Sequence, residues 1–153
     1  MNPEAGPNPR TMFDLDRFVT AQQGVYDGAL REIRLGRKTG HWMWFVFPQI
    51  EGLGSSPMSQ RYAIASLEEA RAYLAHPLLG ARLRECAAAV LATSGLTADD
   101  IFGPIDARKL RSSMTLFERA APGDALFARV INRFYAGLDD AATDERLAQQ
   151  SGR

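Results

Sequence analysis

Apolar residues recur every three or four positions along most of the chain and almost nowhere alternate. Leu15, Phe18 and Val19, then Val25, Ala29, Leu30 and Ile33, keep that spacing with an interruption at Gln23-Gly24. This predicts two short helices separated at the glycine, the first capped by Asp14. Ser66-Leu67-Glu68-Glu69 has the form of a capping box and opens a helix through Ala75. His76-Pro77 ends that helix, because the residue before a proline is pushed out of the α region. From about Leu78 to Ala92 a further helix carries one apolar stripe: Leu79, Leu83, Cys86, Ala87, Val90 and Leu91. Thr97 to Asp100 cap a short turn ending at Gly103, and Pro104 to Ala120 turns Ile105, Leu110, Met114 and Phe117 to one side. Asp124 to Gly137 is the last strong helix, with Leu126, Phe127, Val130, Ile131, Phe134 and Tyr135. The pattern predicts a mainly α fold, a compact single-domain bundle of about seven short helices over residues 13–138. Residues 1–12, rich in Pro, Asn and Gly, are expected to form a disordered lead. Residues 139–153 lose apolar content and are expected to form a C-terminal helix or a frayed tail.

One stretch does not fit a one-faced pattern. His41-Trp42-Met43-Trp44-Phe45-Val46-Phe47-Pro48-Gln49 packs two Trp, two Phe, a Met and a Val into nine residues. An amphipathic element cannot hide that much apolar surface, so the run is expected to be wrapped nearly all round and to form the centre of the bundle. Each large side chain buried there stabilises the fold by roughly 1.5–3 kcal/mol. A buried strand and a short buried helix both satisfy the pattern; Pro48 ends either. Trp42, Phe45, Phe47, Leu83, Met114, Phe117, Ile131 and Phe134 are the expected core. The loop Gly52-Leu53-Gly54-Ser55-Ser56-Pro57-Met58-Ser59 can offer amides and hydroxyls to an anion, or can be a plain turn with serine caps. It lacks the lysine of a Walker loop and the spacing of a dinucleotide fingerprint.

Composition narrows the function classes. A chain of 153 residues, 46% hydrophobic and 24% charged, is ordinary for a soluble globular domain. With 18 basic and 18 acidic residues there is no global basic field, and neither nucleic acid nor membrane is expected as a partner. No apolar run reaches bilayer length, the start has no signal-peptide pattern, and the single cysteine, Cys86, cannot form an internal disulfide. These features lead us to expect a monomeric cytoplasmic protein. Two histidines and one cysteine, without His-x-x-x-His or Cys-x-x-Cys spacing, point to no metal and no cofactor. There is no Gly-x-Ser-x-Gly elbow, and the pairs Asp99-Asp100 and Asp139-Asp140 read as helix caps.

Several blocks together resemble a known family. They are the aromatic run, Gly52-Leu53-Gly54-Ser55, Ser59-x-x-Tyr62-Ala63-Ile64 and Glu69-Ala70-x-x-Tyr73-Leu74-x-His76-Pro77-x-Leu79-Gly80-x-Arg82-Leu83, followed by Ile101-Phe102-Gly103 and Lys109-Leu110-x-Ser112-Ser113-Met114-Thr115-Leu116-Phe117. They are similar to the signature of a bacterial family catalogued as domain of unknown function 1810, over roughly Leu15 to Phe134. The resemblance implies a compact, mainly α-helical single domain and no particular activity. Members are sometimes labelled calpastatin, but calpastatin acts through extended, disordered segments, which this aromatic-rich chain does not resemble.

The polar residues inside those blocks are the candidates for chemistry. His41 and His76 are the candidate catalytic acids or bases, since an imidazole titrates near neutrality. Trp42 and Trp44 offer faces on which a base can stack. Gln49, Ser55, Ser59, Tyr62, Lys109, Ser112 and Ser113 can complete a ligand site, with Lys109 and the two serines holding a phosphate or carboxylate. Each also has a plain structural role open to it, such as a cap, a helix break or a bond to the preceding turn. Taken together, polar groups beside a large aromatic cluster suit a ligand pocket. The expected function is binding, or binding and hydrolysis, of a small anionic ligand such as a nucleotide or ADP-ribose derivative. The alternative is a non-enzymatic protein-interaction module in which the aromatic run is purely structural.

Overall fold

In the computed structural model, which describes residues 13–151, Gly24 adopts a left-handed φ of 72° and separates α1 (Asp16–Gln22) from α2 (Tyr26–Arg34). The expected disordered lead at 1–12 lies outside the described residues. Leu15, and not Asp14, stands at the start of α1, and no side chain caps it. The aromatic run forms a single helical turn, α3 (Met43–Val46), so the short-helix alternative holds and the strand does not. It is followed by α4 (Pro57–Arg61), α5 (Leu67–Ala75), α6 (Leu79–Ala92), α7 (Ala98–Ala120), α8 (Ala125–Phe134) and α9 (Ala141–Ser151). The described residues thus form nine helices where about seven were expected; α3 and α4 are too short to show a period. No strand is present among them, and a lone parallel bridge joins Ile50 to Ile64. None of these helices is long and apolar enough to cross a membrane.

Local chemistry explains the boundaries. Thr97 and Asp100 form a reciprocal capping box at the start of α7. At Gly103 (φ 79°, ψ 160°) the backbone leaves the helix and Pro104 restarts it, so the expected turn and helix run end to end through a kink. At α5 only half of the expected box forms. Ser66 accepts from the Glu69 amide, but the Glu69 carboxylate turns away to accept from the Ala65 amide (2.6 Å) and to pair with Arg17 (3.0 Å). Burial of that carboxylate makes the ion pair with Arg17 necessary, since an unpaired charge there would be costly.

One apolar cluster runs through the helices. Phe18 meets Tyr73 edge-on (5.1 Å between centroids), Tyr73 meets Phe117 (5.5 Å) and Phe117 meets Phe127 (5.9 Å), a chain of rings linking α1, α5, α7 and α8. Trp42, Phe45, Phe47, Leu83, Met114, Phe117 and Ile131 are buried as expected, whereas Phe134 is only partly covered. Cys86 is buried in the stripe, where burial pushes its thiol up to about 12, the behaviour of a core residue.

The segment before α3 is fixed by charge. The Glu32 carboxylate accepts from the Thr39 amide (2.7 Å), the Gly40 amide (2.8 Å) and the Trp42 indole (3.0 Å). Burial works to raise its pKa, but these donors prevail and hold it below the ordinary carboxylate value. Lys38 pairs with Asp106 of α7 at 2.7 Å.

The C-terminal segment forms a docked helix. Ahead of α9, the Asp140 carboxylate accepts from the Thr143 amide (3.1 Å) and from the Ser112 hydroxyl (2.9 Å), while the Asp140 amide donates to the Thr115 hydroxyl (2.9 Å). Arg119 donates to Asp139 (2.6 Å) and Asp144 (3.0 Å). At the far end, Arg146 donates to the Glu51 carbonyl (3.1 Å) and Gln150 to the Ala65 carbonyl (2.7 Å). The spacing of Thr143, Arg146, Leu147 and Gln150 is helical, but only Leu147 among them is apolar, so polar bonds hold this helix more than burial does.

Candidate functional site

Two backbone bonds shape the main cleft. The Ile64 amide donates to the Gln49 carbonyl and the Glu51 amide to the Ile64 carbonyl, both at 2.8 Å. They pin residues 49–51 beside Ile64 and force the glycine-rich loop outward between α3 and α4. The resulting cleft, about 570 Å³, lies between Trp44, Gln49 and this loop on one side and Ser59, Tyr62 and Arg146 on the other. Its volume is in the range of small-molecule sites.

Trp44 projects from α3 and forms one wall. The Lys109 ammonium lies 5.1 Å from the centre of its ring, a cation–π contact, and is held there by Asp106 at 3.4 Å. The indole N–H of Trp44 is buried with no acceptor among the described residues.

The opposite wall is built by short-range bonds. Ser56 caps α4 by accepting from the Ser59 amide (3.1 Å), and its hydroxyl bonds to that of Ser59 (2.9 Å). Gly54 is needed because a Cβ there would stand 2.6 Å from the Ser59 Oγ. Tyr62 is fixed between the rings of Phe45 (5.4 Å) and Phe18 (5.9 Å).

Arg146 arrives from α9 and completes the cleft. Its Nε donates to the Glu51 carbonyl and its Nη1 to the Gln149 side chain at 3.1 Å. The guanidinium is pressed so closely on Gly52 that a Cβ at that position would lie 2.5 Å from the Arg146 Cζ. Among the described residues no carboxylate pairs with it, and its Nη2 has no acceptor. A planar cation held in place without a counter-ion is a natural receptor for an anion, because orientation and charge are both already supplied.

The cleft therefore brings together Trp44, Gln49, Ser59 and Tyr62, and reaches Lys109 through the Trp44 ring. The remaining candidates lie elsewhere. Trp42 is buried with its indole on Glu32. His41 is exposed ahead of α3 and is not part of the cleft wall. His76 sits between α5 and α6, where its Nδ1 accepts from the amides of Leu78 (3.1 Å) and Leu79 (3.2 Å) and so caps α6. Ser55 is an exposed loop residue whose carbonyl accepts from Gln60. Ser112 is committed to Asp140 and the Arg108 carbonyl, and Ser113 is fully buried with no partner for its hydroxyl among the described residues. No three His, Cys, Asp or Glu side chains among the described residues are placed to hold a metal.

Sequence reading missed Arg146. Its signal was weak: a position at helical spacing from Thr143 and Leu147 in a segment whose composition reads as a tail.

No curated protein matches the chain. Among solved structures, the crystal structure of the conserved hypothetical protein Rv1873 from Mycobacterium tuberculosis is similar, with 54% sequence identity and a TM-score of 0.88. The match covers 89% of this chain and 97% of that one. The model of the family described as protein of unknown function DUF1810 matches residues 12–147, nearly the whole helical domain with the cleft and Arg146 included, and the chain belongs to that family.

Proposed function

We propose that the protein binds a small anionic ligand carrying a planar ring, of the nucleotide or ADP-ribose class, in the cleft between Trp44 and Arg146. The observation that carries this reading is the Arg146 guanidinium. It is fixed by the Glu51 carbonyl and Gln149, has no carboxylate partner among the described residues, and shares a cleft with an aromatic ring and two hydroxyls. A phosphate or carboxylate on Arg146 gains a charge-assisted bond, and a ring against Trp44 lies beside the positive field of Lys109. Both histidines stand apart from the cleft, which supports binding and gives no support to hydrolysis by a histidine acid or base. The same reading takes the protein to be a monomer in the bacterial cytoplasm, without nucleic acid or membrane partners.

The test is a thermal-stability screen against nucleotides and other anionic metabolites, since a ligand at 100 times its dissociation constant adds about 2.7 kcal/mol. Arg146→Met is expected to abolish the stabilisation with the fold intact, and Lys109→Met to weaken it. A screen with no stabilising ligand, or an Arg146→Met variant that binds like the parent, would overturn the reading. The interaction-module alternative, for which exposed Leu35, Ile105 and Leu138 would be the surface to probe, would then replace it.

A further inference from the structure

Arg146 borders a second concavity. Beyond it lies a cleft of about 510 Å³ between the start of α5 and the last turns of α9, with Ala65, Ser66, Arg71, Leu147 and Gln150 in its walls. Glu51 and Arg146 belong to the walls of both clefts. The guanidinium therefore stands where the two meet, so that a group bound to it can extend in either direction. The linings differ in chemistry. The first offers the Trp44 ring and the Ser59 and Tyr62 hydroxyls, which suit a flat ring. The second has no aromatic residue and sets the Arg71 cation against the Glu51 and Glu68 carboxylates, with the Ser66 and Gln150 polar groups and a small apolar floor from Ala65, Leu67 and Leu147, a mixed-charge lining that suits an uncharged, hydroxyl-bearing arm. Each has the volume of a small-ligand site by itself.

We propose that the two clefts are subsites of one groove. Its ligand is an elongated anion whose charged centre sits on Arg146, with a planar ring in the Trp44 cleft and a second, hydroxylated arm beside Ser66 and Arg71. This rests on the anion-binding reading above and adds the second arm to it. The groove accordingly selects for length as well as for charge. A ligand that ends at its phosphate fills half of it.

The experiment compares ADP with ADP-ribose by calorimetric titration of the full chain. Both carry the ring and the diphosphate, ADP has the higher charge, and ADP-ribose alone has the second arm. ADP-ribose is expected to bind at least roughly tenfold tighter. Ala65→Trp, at an exposed position in the wall of the second cleft, is expected to bring ADP-ribose down to the affinity of ADP and leave ADP unchanged. Arg71→Ala, also exposed, gives a milder loss of the same selectivity should the tryptophan disturb the fold. Equal binding of the two probes by the parent chain overturns the two-subsite inference and leaves the single-cleft reading standing. So does a parallel loss of both probes in Arg71→Ala. Binding of neither probe overturns the groove together with its anion site.

Discussion

Arg146 and Gly52 meet without room for a methyl group between them: a Cβ on Gly52 would stand 2.5 Å from the guanidinium carbon, and the Gly52 backbone is left-handed at φ 96°. The left-handed conformation requires the glycine, and its lack of a side chain leaves room for the end of Arg146, 94 positions later in the chain. Gly52→Ala is expected to cost about 1–2 kcal/mol for the left-handed backbone and to displace Arg146. Chemical denaturation should show the modest loss, and nucleotide titration an affinity lower by roughly tenfold or more. Unchanged affinity would mean that the position of Arg146 does not govern binding.

Phe117 is fully buried and lies between the rings of Tyr73 and Phe127. Phe117→Ala should therefore destabilise the protein by about 3–5 kcal/mol, as an aromatic truncation that leaves a cavity does. Urea denaturation measures it; a loss under about 1 kcal/mol would contradict the packing described.

Glu118 sets a pH dependence. Burial, then the charge and hydrogen bond of Asp139, raise its pKa above the ordinary 4.5, and Arg119 at 3.4 Å only partly opposes them. Asp144 adds to the repulsion, so three carboxylates share one guanidinium. The folded state holds the Glu118 proton more tightly than the unfolded chain. Its contribution to stability is fully present below about pH 4.5 and is lost as the pH rises through the raised value. Glu118→Gln, neutral throughout, should match the parent at low pH and be the more stable of the two near neutrality. Denaturation curves across that range check the sign; a parent more stable than the variant at neutral pH would reverse it.

His76→Ala tests a structural histidine. Its Nδ1 receives the amides of Leu78 and Leu79, so truncation should cost about 0.5–2 kcal/mol, like the loss of any helix cap. Nucleotide affinity should not change. A variant of parental stability that fails to bind would return His76 to the functional site.

The bundle was legible wherever a helix shows one buried stripe, as α6 and α8 do, or a cap of fixed form, as α7 does with Thr97 and Asp100. The aromatic run announced its burial but not its shape, because a segment covered on every side has no period. The site was legible in part. Trp44, Gln49, Ser59 and Tyr62 lie close in sequence to the loop that forms their cleft, whereas Arg146 reaches it through tertiary packing that no local pattern records. Ser112 and Lys109, adjacent on a helix face, went different ways because Asp140 claims the hydroxyl and Trp44 the ammonium. For both side chains the partner that decided the outcome comes from a segment distant in sequence.

The two tryptophans stand only two positions apart but occupy unlike surroundings. Trp42 is sealed in the core on Glu32, while Trp44 faces the cleft under Lys109. The protein therefore contains two separate chromophores, one reporting on the interior and one on whatever enters the cleft. With Trp42 silent to solutes, quenching of the emission by a small soluble quencher should come from Trp44 alone, and a bound ligand should shield it. Replacing Trp44 with phenylalanine would leave an emission that tracks unfolding and ignores occupancy.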